Sequence, residues 1–165
     1  MKKLLLVSLI LASNAPAFAE ETPITGNVQT RCLITTDTNG VFGNPSPTKL
    51  STASTDGGVV PVVRYDVTLA DAYLAKVTTP TAFSSSPALS DSVSWTGSTA
   101  VTKTTDAGMS IYETNKVTYG QTTQFDLTIA GSTWFSSESA ALYGVNKSFP
   151  GGSYTAVILA ECIAK

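Results

Sequence analysis

In "VVPVVRYDVTLA", residues 59–70, Val59, Pro61, Val63, Tyr65, Val67 and Leu69 alternate with the polar Arg64, Asp66 and Thr68. A period of two predicts a half-buried strand, and Pro61, which has no N–H to donate, predicts an edge or a bulge at that point. "TTQFDLTIAG" repeats the pattern, with Phe125, Leu127 and Ile129 inward and Gln124, Asp126 and Thr128 outward. "EETPITGNVQTRCLITT", residues 20–36, places Ile24, Gly26, Val28, Thr30, Cys32 and Ile34 on one face. The chain closes on "GSYTAVILAECIA", an apolar strand where a frayed polar tail is the usual ending, so another segment must cover it. Glu161 is expected to face outward beside an inward Cys162.

Other stretches carry weaker patterns. "DAYLAKVTT" at 71–79 reads two ways, as a helical turn on Ala72, Leu74 and Ala75 or as a strand over "YLAKVTT"; neighbouring strands and the lack of a convincing cap favour the strand. "SVSWTGSTAVT" predicts a hairpin turning at Thr96-Gly97. "GMSIYET" and "VTYGQ" predict a strand-turn-strand around Asn115-Lys116. Residues 36–58 predict a loop with one short strand near Val41 and Phe42, and "STWFSSESAALYGVNKS" a connection with a helical turn at 137–142. Strands every 10 to 20 residues, punctuated by Gly, Pro and Asn, predict an all-β sandwich with Greek-key connections. No repeat and no linker divides the chain.

The first 19 residues stand outside this pattern. Lys2 and Lys3, the apolar "LLLVSLILA" and the small residues "AFA" predict a secretory signal cut after Ala19. The 146 residues beyond it suit one domain, exported and without membrane insertion. They carry 8 basic and 12 acidic residues, scattered, which excludes a nucleic-acid footprint. Ser and Thr number 42 of the 146, the mark of a hydroxyl-rich extracellular β protein. In an oxidising compartment Cys32 and Cys162 are expected to form a disulfide spanning nearly the whole domain. The alternatives are free thiols or a metal pair, which lacks histidine partners.

Nothing in the chain reads as catalytic. There is no histidine, no serine in a Gly-x-Ser-x-Gly context, and the carboxylates are spread singly. "DTNG" lacks the remaining carboxylates of a calcium loop. No cofactor is expected. Of the two tryptophans, Trp95 reads as core, while Trp134, placed in a connection, is the candidate ligand platform.

Two stretches resemble the subunits of chaperone–usher fimbriae, the donor-strand-exchange pilins. "GGSYTAVILAECIA" is similar to their terminal strand, with Gly152 and Tyr154 at the motif positions and Ala156, Ile158 and Ala160 continuing the alternation. "ITGNVQTRC" is similar to their Gly-x-Val-then-Cys opening, carried here by Gly26, Val28 and Cys32; "VSWTG" adds a weaker likeness. The chain departs from those pilins in the position of its second cysteine and in lacking their penultimate aromatic. The resemblance implies an immunoglobulin-like sandwich lacking one strand, over residues 32–165, and a donor strand within residues 20–31 that presents Ile24, Gly26, Val28 and Thr30. Tyr154, Ala156, Ile158 and Ala160 would form one wall of the acceptor groove. The implied partners are identical or related subunits, a periplasmic chaperone and an outer-membrane usher. The implied location is the periplasm in transit and then a surface fimbria supporting adhesion or biofilm formation. The Cys32–Cys162 bond lies within or between subunits on this reading. The alternative function is a monomeric secreted binding domain or adhesin.

Overall fold

Burial follows the alternation of "RYDV": Tyr65 and Val67 are buried, and Arg64 and Asp66 are only half covered. The computed structural model describes residues 31–105, 109–145 and 147–165. The expected leader (1–19) and the positions Ile24, Gly26, Val28 and Thr30 lie outside the described residues. Among the described residues ten strands form two antiparallel sheets. The first sheet holds β1 (Cys32–Thr38), β2 (Gly43–Ser46), β3 (Lys49–Ser51), β4 (Val62–Val67), β6 (Val93–Thr104) and β9 (Gly131–Tyr143). The second holds β5 (Tyr73–Thr78), β7 (Val117–Tyr119), β8 (Thr122–Leu127) and β10 (Leu159–Ala164) in the order β10-β5-β8-β7. A helix, α1 (Met109–Asn115), follows β6. The fold is all-β, as the sequence predicts.

The long β9 organises the first sheet. On one side it pairs with β6 along its length; on the other it pairs with β4 through residues 131–136 and with β3 through 140–142. β1 then adds to β4, and β2 to β3. The core lies between the sheets, where Tyr65, Val67, Val101 and Phe135 meet Ala75, Val77, Phe125 and Leu127. Tyr65 crosses the layer: its Oη donates to the Lys76 carbonyl at 3.0 Å, with the Glu161 carbonyl 3.2 Å away. Burial pushes this phenol's pKa up. A smaller aromatic group, Phe42, Phe83, Trp95, Phe149 and Tyr154, closes one end. Trp95 is thus packed among rings, as expected.

Several local expectations need correction. Residues 93–104 are one unbroken strand, not a hairpin at Thr96-Gly97. Gly97 is needed for close approach: a Cβ there would stand 2.2 Å from Thr79 Oγ1. Residues 109–115 are helical, so the expected first strand of that pair is absent. The stretch 131–143, expected as a connection with a helical turn, is the longest strand. Its inward positions are Thr133, Phe135, Ser137, Ser139, Ala141 and Tyr143, and small hydroxyls among them hide the apolar alternation. β8 ends at Leu127, so Ile129 is exposed instead of inward. Val59 and Leu69 are likewise exposed, beyond the ends of β4. Residues 36–58 hold the end of β1, two short strands and a 3-10 turn at Ser54–Asp56. Pro61 lies just before β4, an internal strand and not an edge, and a register shift between Thr36 and Thr38 of β1 falls opposite Val63 and Val62.

The two open sides of the layered fold are treated differently. On one side α1 lies over the β6 edge. Tyr112 plugs the core, and Glu113 Oε1 accepts the Val101 N–H at 2.5 Å. Partial burial pushes the Glu113 carboxyl up, but Lys116 at 2.5 Å and the Val101 N–H outweigh it and hold the group below the usual glutamate value. A carboxyl so lowered adds stability above its ordinary pKa, about 4.3, and loses it as pH falls toward the lower folded value. Glu113→Gln is expected to cost about 1 kcal/mol at pH 7, discounted for its exposure, and roughly 3 °C in Tm. The difference should shrink below about pH 4, which thermal melts across pH will check.

Candidate functional site

The opposite side is bounded by β1 and β10, and these two edges are joined at one end only. A disulfide links Cys32, at the start of β1, to Cys162 in β10, with the two Cα atoms 6.4 Å apart. From that hinge β1 runs on toward Thr38. The chain preceding β10 runs back through Ile158, Ala156 and Tyr154. Between them opens a groove of about 650 Å³. Thr36, Thr38 and Val41 line one wall; Tyr154, Ala156 and Ile158 line the other. The floor passes from Val63 and Pro61 to Ser137, Ser139, Thr52 and Leu50. The floor reaches β9 because β4 begins at Val62 and β3 ends at Ser51, leaving a gap between them beside β9.

The walls offer backbone as well as side chains. β1 pairs only with β4, and β10 only with β5, so each has an unpaired edge among the described residues. Residues 152–158, expected as the first half of the last strand, are extended but touch other backbone only at Thr155. Its N–H donates to the Ser85 carbonyl at 2.9 Å, and its carbonyl accepts from Ser84 N at 2.8 Å. In extended chain the polar groups of successive residues point to opposite edges. The N–H and C=O of Thr155 are taken by Ser84 and Ser85, whereas no described residue bonds the N–H and C=O of Ala156, which also lines the groove. Such an edge is a template for another strand.

Side chains along this wall keep the expected period. Tyr154, Ala156, Ile158 and Ala160 are half-buried, while Thr155, Val157 and Leu159 are exposed. Of these four wall positions Tyr154, Ala156 and Ile158 line the groove; Ala160 packs against the core beside the hinge. The terminal strand is held on its other side by β5. Glu161 pairs outward with Lys76 at 2.7 Å, and Lys165 binds both Asp71 and Asp126. The apolar ending is therefore anchored on one flank and open on the other.

Polar bookkeeping singles out one floor residue. Thr99 and Ser137 share a hydrogen bond at 3.0 Å. Thr52 Oγ1 accepts from Ser139 N at 2.9 Å and lies 3.3 Å from the Ser139 carbonyl, to which it donates. Thr79 donates to Gln121 at 2.6 Å, and Ser51 Oγ accepts from Ala53 N at 3.1 Å. Ser139, only 2 % exposed, is among the residues that line the groove, but its Oγ is covered by the surrounding protein, and no described residue bonds it. A buried hydroxyl left unpaired costs about 1–3 kcal/mol.

Trp134 stands elsewhere. It lies in β9, not in a connection, on the face opposite Phe135 and Ser137. Arg64 and Lys103 are its direct cross-strand neighbours, with Lys103 Nζ 4.6 Å and Arg64 Cζ 5.8 Å from the ring centroid. Cations flank the ring from both adjacent strands, which makes it a cation–π row and not a bare platform.

Reading the sequence did not single out Thr36, Thr38, Ser137 or Ser139. The signal for the serines was a period of two carried by hydroxyls in place of aliphatics. Among the described residues no three His, Cys, Asp or Glu side chains gather as metal ligands. No family model, characterised protein or solved structure matches this chain.

Proposed function

We propose that the chain is a structural subunit of an extracellular fimbria, assembled by strand exchange, in which residues 20–31 of one copy fill the groove of the next. The observation that carries this reading is the groove itself, with unpaired backbone on both walls and alternate apolar positions at Ala156 and Ile158. Strand addition uses these two features together: main-chain hydrogen bonds for affinity and alternating pockets for specificity. The even positions Ile24, Gly26, Val28 and Thr30 supply a matching period. The resemblance to chaperone–usher pilins points the same way, toward an immunoglobulin-like Greek-key sandwich short of one strand. A periodic supply of subunits through a periplasmic chaperone and an outer-membrane usher follows from it. The role is structural, not enzymatic, and serves adhesion or biofilm formation at the cell surface.

Chain geometry favours a neighbour's segment over the chain's own. Thr68 N donates to the Arg31 carbonyl at 3.1 Å, and Arg31 N donates to Thr68 Oγ1 at 3.0 Å. These bonds extend the β1–β4 ladder past the disulfide, away from the groove. The chain thus enters β1 from the hinge end. A head-to-tail contact that does not close on itself makes a filament.

Purified protein beginning at Glu20 is expected to run as a detergent-resistant ladder that collapses to monomer on heating. Deleting residues 20–31 should leave monomer. Ile158→Asp, which puts a charge in the groove wall, should do the same while keeping the far-ultraviolet β signal. A full-length chain that stays monomeric, or ladders that persist in Ile158→Asp, would overturn the reading.

A further inference from the structure

We propose that Asn39 is a site of spontaneous deamidation at the lip of the groove, and that its conversion disables subunits that have not joined a polymer. The chemistry stands on the chain's own residues; the consequence for assembly rests on the strand-exchange reading. Asn39 is the one asparagine of the sequence followed by glycine. The pair is exposed, and both residues line the groove. It is not the turn that Asn-Gly usually marks. Gly40 has no left-handed backbone, and the pair carries β1 onward beside β4: Thr38 pairs with Val62, and Val41 exchanges two bonds with Val59, at 3.0 and 2.9 Å. A Cβ at Gly40 would come within 3.0 Å of the Pro61 ring, so only glycine fits against it. Pro61 has no N–H, and the ladder lapses between those two pairs. No described residue bonds the Gly40 N–H or the Asn39 side chain.

A backbone nitrogen so exposed, with no side chain to shield it, is free to attack. The Gly40 nitrogen gives its proton to water and adds to Asn39 Cγ; the bond from Cγ to the side-chain nitrogen breaks, and ammonia leaves. The resulting five-membered imide takes up one water at either carbonyl, giving aspartate or isoaspartate. The balance is amide and water to acid and ammonia, with no redox step. Asn44 cannot follow this path, since Pro45 has no N–H, and the residues after Asn27, Asn115 and Asn146 carry side chains that hinder it. Isoaspartate routes the main chain through Cβ, an extra bond of about 1.5 Å. That bond falls between Thr38–Val62 and Val41–Val59, which are equally spaced on both strands, so one of the two pairs must open. The opening lies on a groove wall, and either product adds a negative charge there. An occupant laid along β1 covers both residues and holds the main chain extended, which keeps the nitrogen from Cγ.

The test refolds the full chain from Glu20 at low concentration, which slows assembly, ages it at mildly alkaline pH and separates monomer from polymer at intervals. After reduction, the tryptic peptide 32–49 reports Asn39 beside Asn44 as an internal control. In monomer, Asn39 is expected to convert before any other asparagine, with isoaspartate that an isoaspartyl methyltransferase labels. The monomeric Ile158→Asp should convert as fast. In polymer, conversion should be roughly tenfold slower, the cost of first opening one hydrogen bond to the occupant. Aged monomer should no longer add to polymer and should exchange its Val41 and Val59 amide protons faster. Asn39→Gln, which would need a six-membered imide, should show neither change after the same ageing. Retention of the Asn39 amide in aged monomer, or earlier conversion elsewhere, would overturn the site. Conversion that leaves addition to polymer intact would overturn its consequence. Equal conversion in monomer and polymer would overturn protection by the occupant. Absence of polymers from the unmodified chain would overturn strand exchange and the link to assembly, while the peptide masses and the Val41 exchange would still decide the site.

Discussion

Loss of the Cys32–Cys162 disulfide is expected to lower the stability of the protein by roughly 5 kcal/mol, since the closed loop spans a sequence separation of 130. That is a large share of the 5–15 kcal/mol by which domains of this kind are stable. The reason lies mostly in the unfolded chain, which the bond confines. The folded elements keep other anchors. β10 stays on β5 through its ladder, the Lys76–Glu161 pair and the bonds of Lys165 to Asp71 and Asp126. β1 stays on β4. What is lost in the native state is the link between the two sheets on the groove side. Cys32→Ser/Cys162→Ser is therefore expected to keep its far-ultraviolet β signal and to unfold at a much lower denaturant concentration. Under the strand-exchange proposal, polymers of that variant should also dissociate faster, because the groove has lost its closed end. A denaturation midpoint equivalent to a loss below about 1 kcal/mol would contradict this account.

Phe135→Ala is expected to cost about 3–5 kcal/mol, the usual range for emptying a fully buried aromatic site. Phe135 is wholly buried on β9. Its ring meets Tyr65 edge-on at 5.3 Å and Phe125 at 4.5 Å, and so ties the two sheets together. The cavity would adjoin Tyr65, whose hydroxyl spans the layer to the Lys76 carbonyl. The surrounding backbone is laddered on both sides, by β4 and β6, and has little freedom to collapse into the space. Denaturant titration should show a lower midpoint with an unchanged slope. A loss below about 1 kcal/mol would mean that the layer is not packed around this ring.

Strands whose inward positions were large and apolar were legible in advance. Tyr65 and Val67, and Phe125 and Leu127, alternate with polar residues and prove buried. β9 was not legible, because Ser137 and Ser139 occupy core positions and read as loop residues until β6, β3 and the groove surround them. Thr96-Gly97 misled in the opposite sense. Locally it is a turn dipeptide, but Gly97 makes room for Thr79, just past the end of β5. Helix α1 was missed because its stabilising contacts, Tyr112 in the core and Glu113 on Val101, join residues distant in sequence.

The sequence by itself determined the all-β class, the inward faces of the strongly alternating strands, the inner position of Cys32 and the alternation along 154–160. These are local properties, set by side-chain period and by the volume of each residue. Only the tertiary structure decided that β1 and β10 are joined at one end and apart at the other, that Trp134 lies between two cations, and that one buried serine lacks a partner. Each of those depends on which distant strands become neighbours, and pairing between strands is settled by the register and packing of the whole core, which no single segment encodes.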